Sequence, residues 1–167
     1  MQRLTDARAA AQQIVERTGG EIRLALPLGL GKPVSIVNAL VDLACEDSAI
    51  TLSIFTALTL EPPAPSSDME KRFLGPAMDR LFGAYPPLRY AELLRRDGLP
   101  PNISVNEFFL LAGRWIGNAP VQQAYISANY THARDVLIAR RPNVLAQLVA
   151  EQEGRFSLSS NTDISAD

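Results

Sequence analysis

Residues 21–56 read EIRLALPLGLGKPVSIVNALVDLACEDSAITLSIFT, and this stretch decides the fold. It begins with a short apolar run interrupted by Arg23, whose length favours a strand buried on both faces. A turn at residues 29–33 follows, with two glycines, and leads into apolar residues at the spacing of one helical face. Residues 49–56 are rich in branched side chains and predict a second strand. Together these elements predict a βαβ unit with a right-handed crossover.

Further elements extend this unit in both directions. Apolar residues recur at spacings of three and four over residues 4–17, which predicts a helix that ends at Gly19 and Gly20. Residues 131–141 predict another helix, and residues 105–111 are ambiguous between a strand and a helix start. Strands are predicted at three short segments, residues 124–128, 143–150 and 155–159.

Prolines interrupt the pattern between residues 60 and 102, where stiff turns separate two predicted helices at residues 68–82 and 88–96. We interpret residues 60–102 as a helical Pro-rich insertion that flanks the sheet. The sequence therefore predicts an α/β fold in one domain, residues 1–167, with an open, mainly parallel sheet flanked by helices.

Composition excludes several classes of function. The chain has 167 residues, and its 16 basic and 18 acidic residues give a net charge of −2. Nucleic acid is not an expected partner, because binding to its backbone normally needs a basic excess. No apolar run approaches the ~20 residues that cross a bilayer, so no membrane partner is expected. The single cysteine, Cys45, cannot form an internal disulfide, which favours a cytoplasmic location.

The last nine residues read SSNTDISAD. Small polar residues followed by an acid and an apolar residue are typical of a helix start. Because a domain rarely ends where an element begins, we interpret the chain as the front portion of a longer polypeptide.

Three strand-to-helix junctions are rich in small and polar residues, at residues 27–32, 127–132 and 159–163. In a parallel sheet such junctions line the carboxyl edge, where ligands of open α/β folds bind. Gly29 and Gly31 would let backbone N–H groups approach a phosphate or carboxylate, and Lys32 would add a full positive charge. The turn matches neither the dinucleotide-binding motif nor the P-loop, so a tight turn without a ligand is the alternative.

A self-sufficient hydrolase is a further hypothesis. His132 is the only histidine, Asp135 lies on the same helical face, and Ser127 or Ser159 could complete a triad. The chain has no Gly-x-Ser-x-Gly motif, so we interpret His132 as a local structural residue.

The remaining reactive side chains are interpreted as structural. Glu61 and Glu107 could be buried functional acids, but a solvated loop residue or a capping group is the commoner explanation. Cys45 lies beside two acids that would raise its pKa, and it is interpreted as a small packing residue. One histidine, one cysteine and no clustered acids leave no set of metal ligands, so no metal is predicted.

Five segments, taken in order, resemble the amino-terminal region of the acetyl-CoA hydrolase/transferase family, which belongs to the CoA-transferases. The segments are PLGLGKPVSIVNAL (27–40), VNEFF (105–109) with Gly113 following, QQAYISANYTHARDVL (122–137), PNVLAQLVA (142–150) and FSLSSNTDIS (156–165). The likeness spans most of residues 19–167, and residues 60–102 carry it least well.

This resemblance implies an enzyme that passes an acyl group through a glutamyl-CoA thioester. It implies two α/β halves with the active site between them and the nucleophilic glutamate in the second half, so no catalytic residue is expected in this chain. The expected partners are an acyl-CoA, a small carboxylate, the carboxyl-terminal half and, as a further option, copies of the same protein. No cofactor is expected beyond the coenzyme A thioester that serves as substrate. The expected substrate-binding wall comprises Gly29, Gly31, Lys32, Asn129, Tyr130, Thr131, Ser159, Ser160 and Asn161.

An alternative from another class is a non-catalytic α/β domain that uses the glycine turn to bind an anion or a protein partner. A second α/β half carrying the glutamate, encoded downstream, would favour the enzyme. The absence of such a half would favour the binding domain.

Overall fold

The computed structural model describes residues 3–158 and confirms the α/β fold. Its main sheet contains β1 (Glu21–Leu28), β2 (Thr51–Ala57), β3 (Ile103–Glu107) and β4 (Val144–Leu145). All neighbouring strands are parallel, and their spatial order is β3-β2-β1-β4. The carboxyl ends of β1, β2 and β3 therefore meet at one edge of the sheet, which we name the carboxyl edge.

Helices cover both faces of this sheet. Within the described residues they are α1 (Ala7–Thr18), α2 (Val34–Glu46), α3 (Asp68–Phe82), α4 (Arg89–Arg95), α5 (Ala119–Ala124) and α6 (Tyr130–Arg140). The larger core lies on the face covered by α1, α2 and α4, where Leu24 and Ile54 of the sheet are buried with Leu40 of α2. On the opposite face, Ala133 of α6 packs against Phe55 of β2. As predicted, β1 is buried on both faces.

Local signals explain where several helices begin and end. The Asp6 side chain accepts hydrogen bonds from the first backbone N–H groups of α1, and Gly19 ends that helix in the left-handed conformation, at φ 63°. The helix predicted over residues 68–82 is confirmed as α3, with the Ser67 side chain capping it. The ambiguous run at residues 105–111 begins within a strand, because β3 extends to Glu107.

The strand predicted at residues 124–128 is wrong. The helix α5 begins at Ala119, where the Asn118 side chain caps its first turn and Pro120 suits its position in that turn, and it extends to Ala124. The following residues have no regular secondary structure, and the Ile126 N–H donates one hydrogen bond, 2.9 Å long, to the Glu107 carbonyl. Residues 124–128 thus lie along the edge of the sheet without pairing with β3 as a strand.

The last two predicted strands also differ from the structure. Of residues 143–150, only Val144 and Leu145 pair with β1, because the chain then leaves the ladder and Leu148 N–H bonds to the Gly31 carbonyl. The final strand does not join the parallel sheet. It forms β6 (Arg155–Ser157), which pairs antiparallel with β5 (Ala150–Gln152) in a separate hairpin.

The two helices of the Pro-rich section, α3 and α4, contribute unequally to the core. In α4, Tyr90 and Ala91 are buried beside α2, whereas α3 has no buried residue. Within residues 3–158, no helix is both long enough and apolar enough to cross a membrane.

Replacing Asn129 by alanine is expected to lower the free energy of unfolding by about 1 kcal/mol, the usual contribution of such a cap. The Asn129 side chain accepts a hydrogen bond from the His132 N–H at the start of α6. Urea unfolding followed by circular dichroism measures the loss. Thr131→Ala is the control, because this exposed side chain makes no capping bond. Equal losses in both variants would contradict a capping role for Asn129.

Candidate functional site

The first predicted junction forms a short 3-10 turn, Gly29–Gly31, directly after β1. Gly29 has a positive φ of 46°, which favours glycine, and its N–H donates to the Leu58 carbonyl at 3.2 Å. The Lys32 N–H closes the turn on the Gly29 carbonyl. Both glycines are buried, so the turn is fixed against the segment that follows β2.

The second predicted junction lies at the same edge. Tyr130 begins α6, and its ring meets the Phe108 ring edge-on, with the centroids 5.6 Å apart. Phe108 in turn stacks on Phe55 at 5.7 Å, and both belong to a small core that Leu28 and Ala128 contact. The exposed residues Asn129, Tyr130 and Thr131 therefore lie near the carboxyl ends of the central strands. The third junction, with Ser159, Ser160 and Asn161, lies outside the described residues.

Lys32 occupies a position that the sequence does not reveal. Lys32 is only 2% exposed, and its Nζ donates hydrogen bonds to the carbonyls of Ala57 and Leu58 at 2.5 and 3.2 Å. The ammonium is thus directed at backbone beneath the turn. Contact between Lys32 and a substrate anion stays a prediction, and the contacts that the structure gives are internal to the protein.

A buried polar network lies next to Lys32. Thr59 donates its N–H to Glu107 Oε2 at 3.1 Å and its hydroxyl to Glu107 Oε1. The same hydroxyl lies 2.7 Å from the Tyr90 hydroxyl. Thr59 and Glu107 are each 4% exposed, and Tyr90 is fully buried. The interpretation of Glu107 as a solvated loop residue is therefore wrong, and no sequence pattern indicated Thr59 or Tyr90 as its partners.

Burial controls the ionisation of this network. Desolvation raises the pKa of Glu107, while the Thr59 hydroxyl and the positive charge of Lys32 oppose the rise. Desolvation, reinforced by the Glu107 charge, holds the pKa of Tyr90 well above its usual value. Tyr90 therefore stays protonated and donates to Thr59, which in turn donates to the Glu107 carboxylate. A lone acid at the end of a buried strand is the sequence signal that could have identified Glu107.

Glu107→Gln is expected to change the pH dependence of stability in a specific direction. Because the pKa of Glu107 is raised on folding, protonation contributes stability below the ordinary value of about 4.5, and that contribution is lost as the pH rises through the raised pKa. As the pH increases, the free energy of unfolding of Glu107→Gln should therefore rise relative to that of the unsubstituted protein. Urea unfolding between acid and mildly alkaline pH measures this difference.

Glu46→Gln provides a control of opposite sign. A hydrogen bond from Arg8 lowers the pKa of Glu46, so its contribution is present at higher pH and is lost as the pH falls through the lowered pKa. A pH-independent difference between Glu107→Gln and the unsubstituted protein would contradict the raised pKa of Glu107.

The other candidates are separate from this network. His132 and Ser127 are exposed, and within residues 3–158 no side-chain hydrogen bond joins His132 to Ser127 or Asp135. Glu61 forms an ion pair with Arg95, with an N to O distance of 2.6 Å. No group of three or more His, Cys, Asp or Glu side chains suited to a metal occurs in the described part of the chain.

Cys45 is exposed, so its interpretation as a packing residue is wrong. The residue lies near the end of α2, after the buried Leu43 and Ala44, where the helix turns its next position towards solvent. The predicted direction of its pKa is confirmed. Partial burial is the largest cause of the rise, Asp42 and Glu46 add to it, and Arg89 opposes it.

Several apolar side chains around the two junctions are exposed. Five side chains, each between 40% and 56% exposed, form what we name the apolar rim: Leu30, Phe109, Tyr130, Leu148 and Val149. Backbone hydrogen bonds connect this surface, since Leu148 bonds to Gly31 and Leu58 bonds to Phe109. Exposed apolar surface of this kind is typical of a site that another protein segment or a ligand covers.

No protein-family model, no curated protein and no solved structure matches the chain. The resemblance to the acetyl-CoA hydrolase/transferase family therefore stays a prediction.

Proposed function

We propose that this chain forms one wall of a thioester-binding cleft, as the first α/β half of an acyl-CoA hydrolase or CoA-transferase. One observation carries the proposal: the Gly29–Gly31 turn and the start of α6 lie at the same carboxyl edge, within an exposed apolar rim. Ligands of open parallel sheets bind at this edge. As part of the proposal, a glutamate from the second half of the enzyme faces this wall.

The chemistry explains what such a wall would contribute. A glutamate attacks the carbonyl carbon of the thioester, and negative charge develops on the carbonyl oxygen before the CoA thiolate leaves and an acyl-glutamyl anhydride forms. The thiolate then attacks the glutamyl carbonyl of this anhydride, which releases the free carboxylic acid as its anion and leaves the glutamyl-CoA thioester as the covalent intermediate. The amino-terminal end of α6 carries partial positive charge that favours an anion nearby. The apolar rim would pack against the second half and limit the access of water to the covalent intermediate. Water or a small carboxylate then resolves that intermediate, which distinguishes hydrolase from transferase.

Turnover by the polypeptide that contains both halves tests the proposal. We expect it to release CoA from acetyl-CoA, or to transfer CoA to a small carboxylate, and to form a glutamyl thioester that borohydride reduces and mass spectrometry locates. The 167-residue chain alone is expected to be inactive. Because the single cysteine favours a reducing environment, the proposed location is the cytoplasm.

The apolar rim is also consistent with a non-catalytic assembly domain. The two hypotheses predict different results in the same assay. If the complete polypeptide neither consumes acyl-CoA nor forms the thioester adduct, the enzyme is excluded and the binding domain remains.

A further inference from the structure

Residues 57–60, which begin with the last residue of β2, have an unusual backbone, and we name them the Leu58 segment. Leu58 has a φ of 47°, in the left-handed region that non-glycine residues rarely adopt. The chain binds this residue from both sides, because its carbonyl accepts from the Gly29 N–H and its N–H donates to the Phe109 carbonyl at 2.7 Å. The conformation of the Leu58 segment therefore determines where the glycine turn lies.

Two buried charged residues hold the Leu58 segment. Lys32 donates to the carbonyls of Ala57 and Leu58, and the Glu107 carboxylate accepts both the N–H and the hydroxyl of Thr59. Lys32 and Glu107 are at most 4% exposed, so neither side chain is open to a ligand from solvent. Both therefore act on the carboxyl edge through the backbone that they bind.

A contribution to stability does not by itself explain why Lys32 and Glu107 are charged residues. Burying a charged residue costs solvation energy, and well-packed apolar residues commonly replace buried ion pairs without loss of stability. Hydrogen bonds from charged groups instead impose a specific geometry on the groups that they bind. Here that geometry is the left-handed conformation at Leu58, directly beneath the candidate site.

We infer that Glu107 is a positioning residue: through Thr59 it holds the Leu58 segment in the conformation that presents the Gly29–Gly31 turn to the cleft. The inference rests on the proposed function for its catalytic consequence, but the positioning itself is a property of this chain. Small displacements of groups that surround reacting atoms lower turnover strongly, even when the displaced group is remote from the chemistry.

Kinetics of the complete polypeptide test the catalytic consequence. Glu107→Ala is expected to lower kcat for acyl-CoA turnover by about 10- to 100-fold, with KM changed by less than about twofold, because Glu107 does not contact the substrate. Glu107→Gln should recover most of kcat, since its amide oxygen can still accept from Thr59. The control is Ile103→Ala, which truncates a buried residue at the far end of the same strand and should leave kcat unchanged. A folded Glu107→Ala variant with normal kcat would overturn the inference.

Amide hydrogen exchange in the 167-residue chain tests the positioning without any activity. In Glu107→Ala the Gly29 amide, which bonds to Leu58, should exchange at least tenfold faster than in Ile103→Ala. The Asn143 amide, bonded to the Arg23 carbonyl of β1 on the side of the sheet away from β3, should exchange equally in both variants. Unchanged exchange at Gly29 would overturn the inference, whereas absent turnover with altered exchange would exclude only the proposed function.

A second pair of variants covers the case in which Glu107→Ala does not fold. Thr59→Val removes the hydroxyl that bonds to Glu107, and Thr59→Ser keeps it. We expect faster Gly29 exchange and lower kcat in Thr59→Val, and near-normal values of both in Thr59→Ser. Equal behaviour of the two variants would overturn the inference.

Discussion

Replacing Lys32 by methionine is expected to lower the free energy of unfolding by about 3 kcal/mol, because two backbone carbonyls lose their charged donor and one of them keeps only its bond from the Gly29 N–H. Those carbonyls belong to Ala57 and Leu58, and the Lys32 ammonium lies 2.5 and 3.2 Å from them. Methionine has a similar length and fills the same space. The loss of unfolding free energy therefore measures what the hydrogen bonds and the charge of Lys32 contribute. The Glu107 carboxyl also loses a nearby positive charge, which should raise its pKa further.

The chain offers a matched control for this substitution, because its other lysine, Lys71, is exposed on α3. Lys71→Met should change the free energy of unfolding by less than about 0.5 kcal/mol, as is usual for exposed positions. Urea unfolding compares the two variants, and a similarly small effect for Lys32→Met would contradict its buried position.

Chemical labelling gives an independent check on the position of Lys32. In the folded protein an amine-reactive ester should modify Lys71 and leave Lys32 unmodified, because the Lys32 residue is only 2% exposed. In urea both lysines should react. Rapid labelling of Lys32 in the folded protein, located by mass spectrometry, would show that its ammonium faces solvent.

Local pattern was sufficient to predict the central part of the fold. The apolar run of β1, the helical spacing of α2 and the branched residues of β2 lie within 36 consecutive residues, and the length of each favours the element that forms. The two junctions could be placed at one edge for a general reason, since the carboxyl ends of parallel strands meet there.

Tertiary context determined the features that were predicted wrongly. The segment at residues 143–150 is apolar enough for a strand, but Leu148 bonds to Gly31 and draws the chain away from β1. The sequence also places no constraint on the direction of the Lys32 side chain. Its burial depends on how the Leu58 segment folds over the glycine turn, and that conformation depends on Glu107, many residues away.

Replacing Gly29 by valine is expected to lower acyl-CoA turnover by the complete polypeptide about 100-fold, because it displaces the turn at the carboxyl edge. Gly29 has a φ of 46°, and a side chain added there would begin 3.4 Å from Leu60 and 3.6 Å from Leu58. The left-handed conformation costs a branched residue about 2 kcal/mol, so the turn should shift to a negative φ and lose its bond to Leu58. The prediction rests on the proposed function.

Gly19→Val separates this local displacement from general destabilisation. Gly19 has a φ of 63°, so valine meets a similar conformational cost, but a side chain there has no neighbour within 4 Å. It ends α1 just before β1 begins, so it lies at the end of the sheet opposite the candidate site. Both variants should lose about 2 kcal/mol of unfolding free energy, while only Gly29→Val should lose turnover. If the two folded variants turn over acyl-CoA equally well, the glycine turn has no part in the cleft and the wall must be built from other residues.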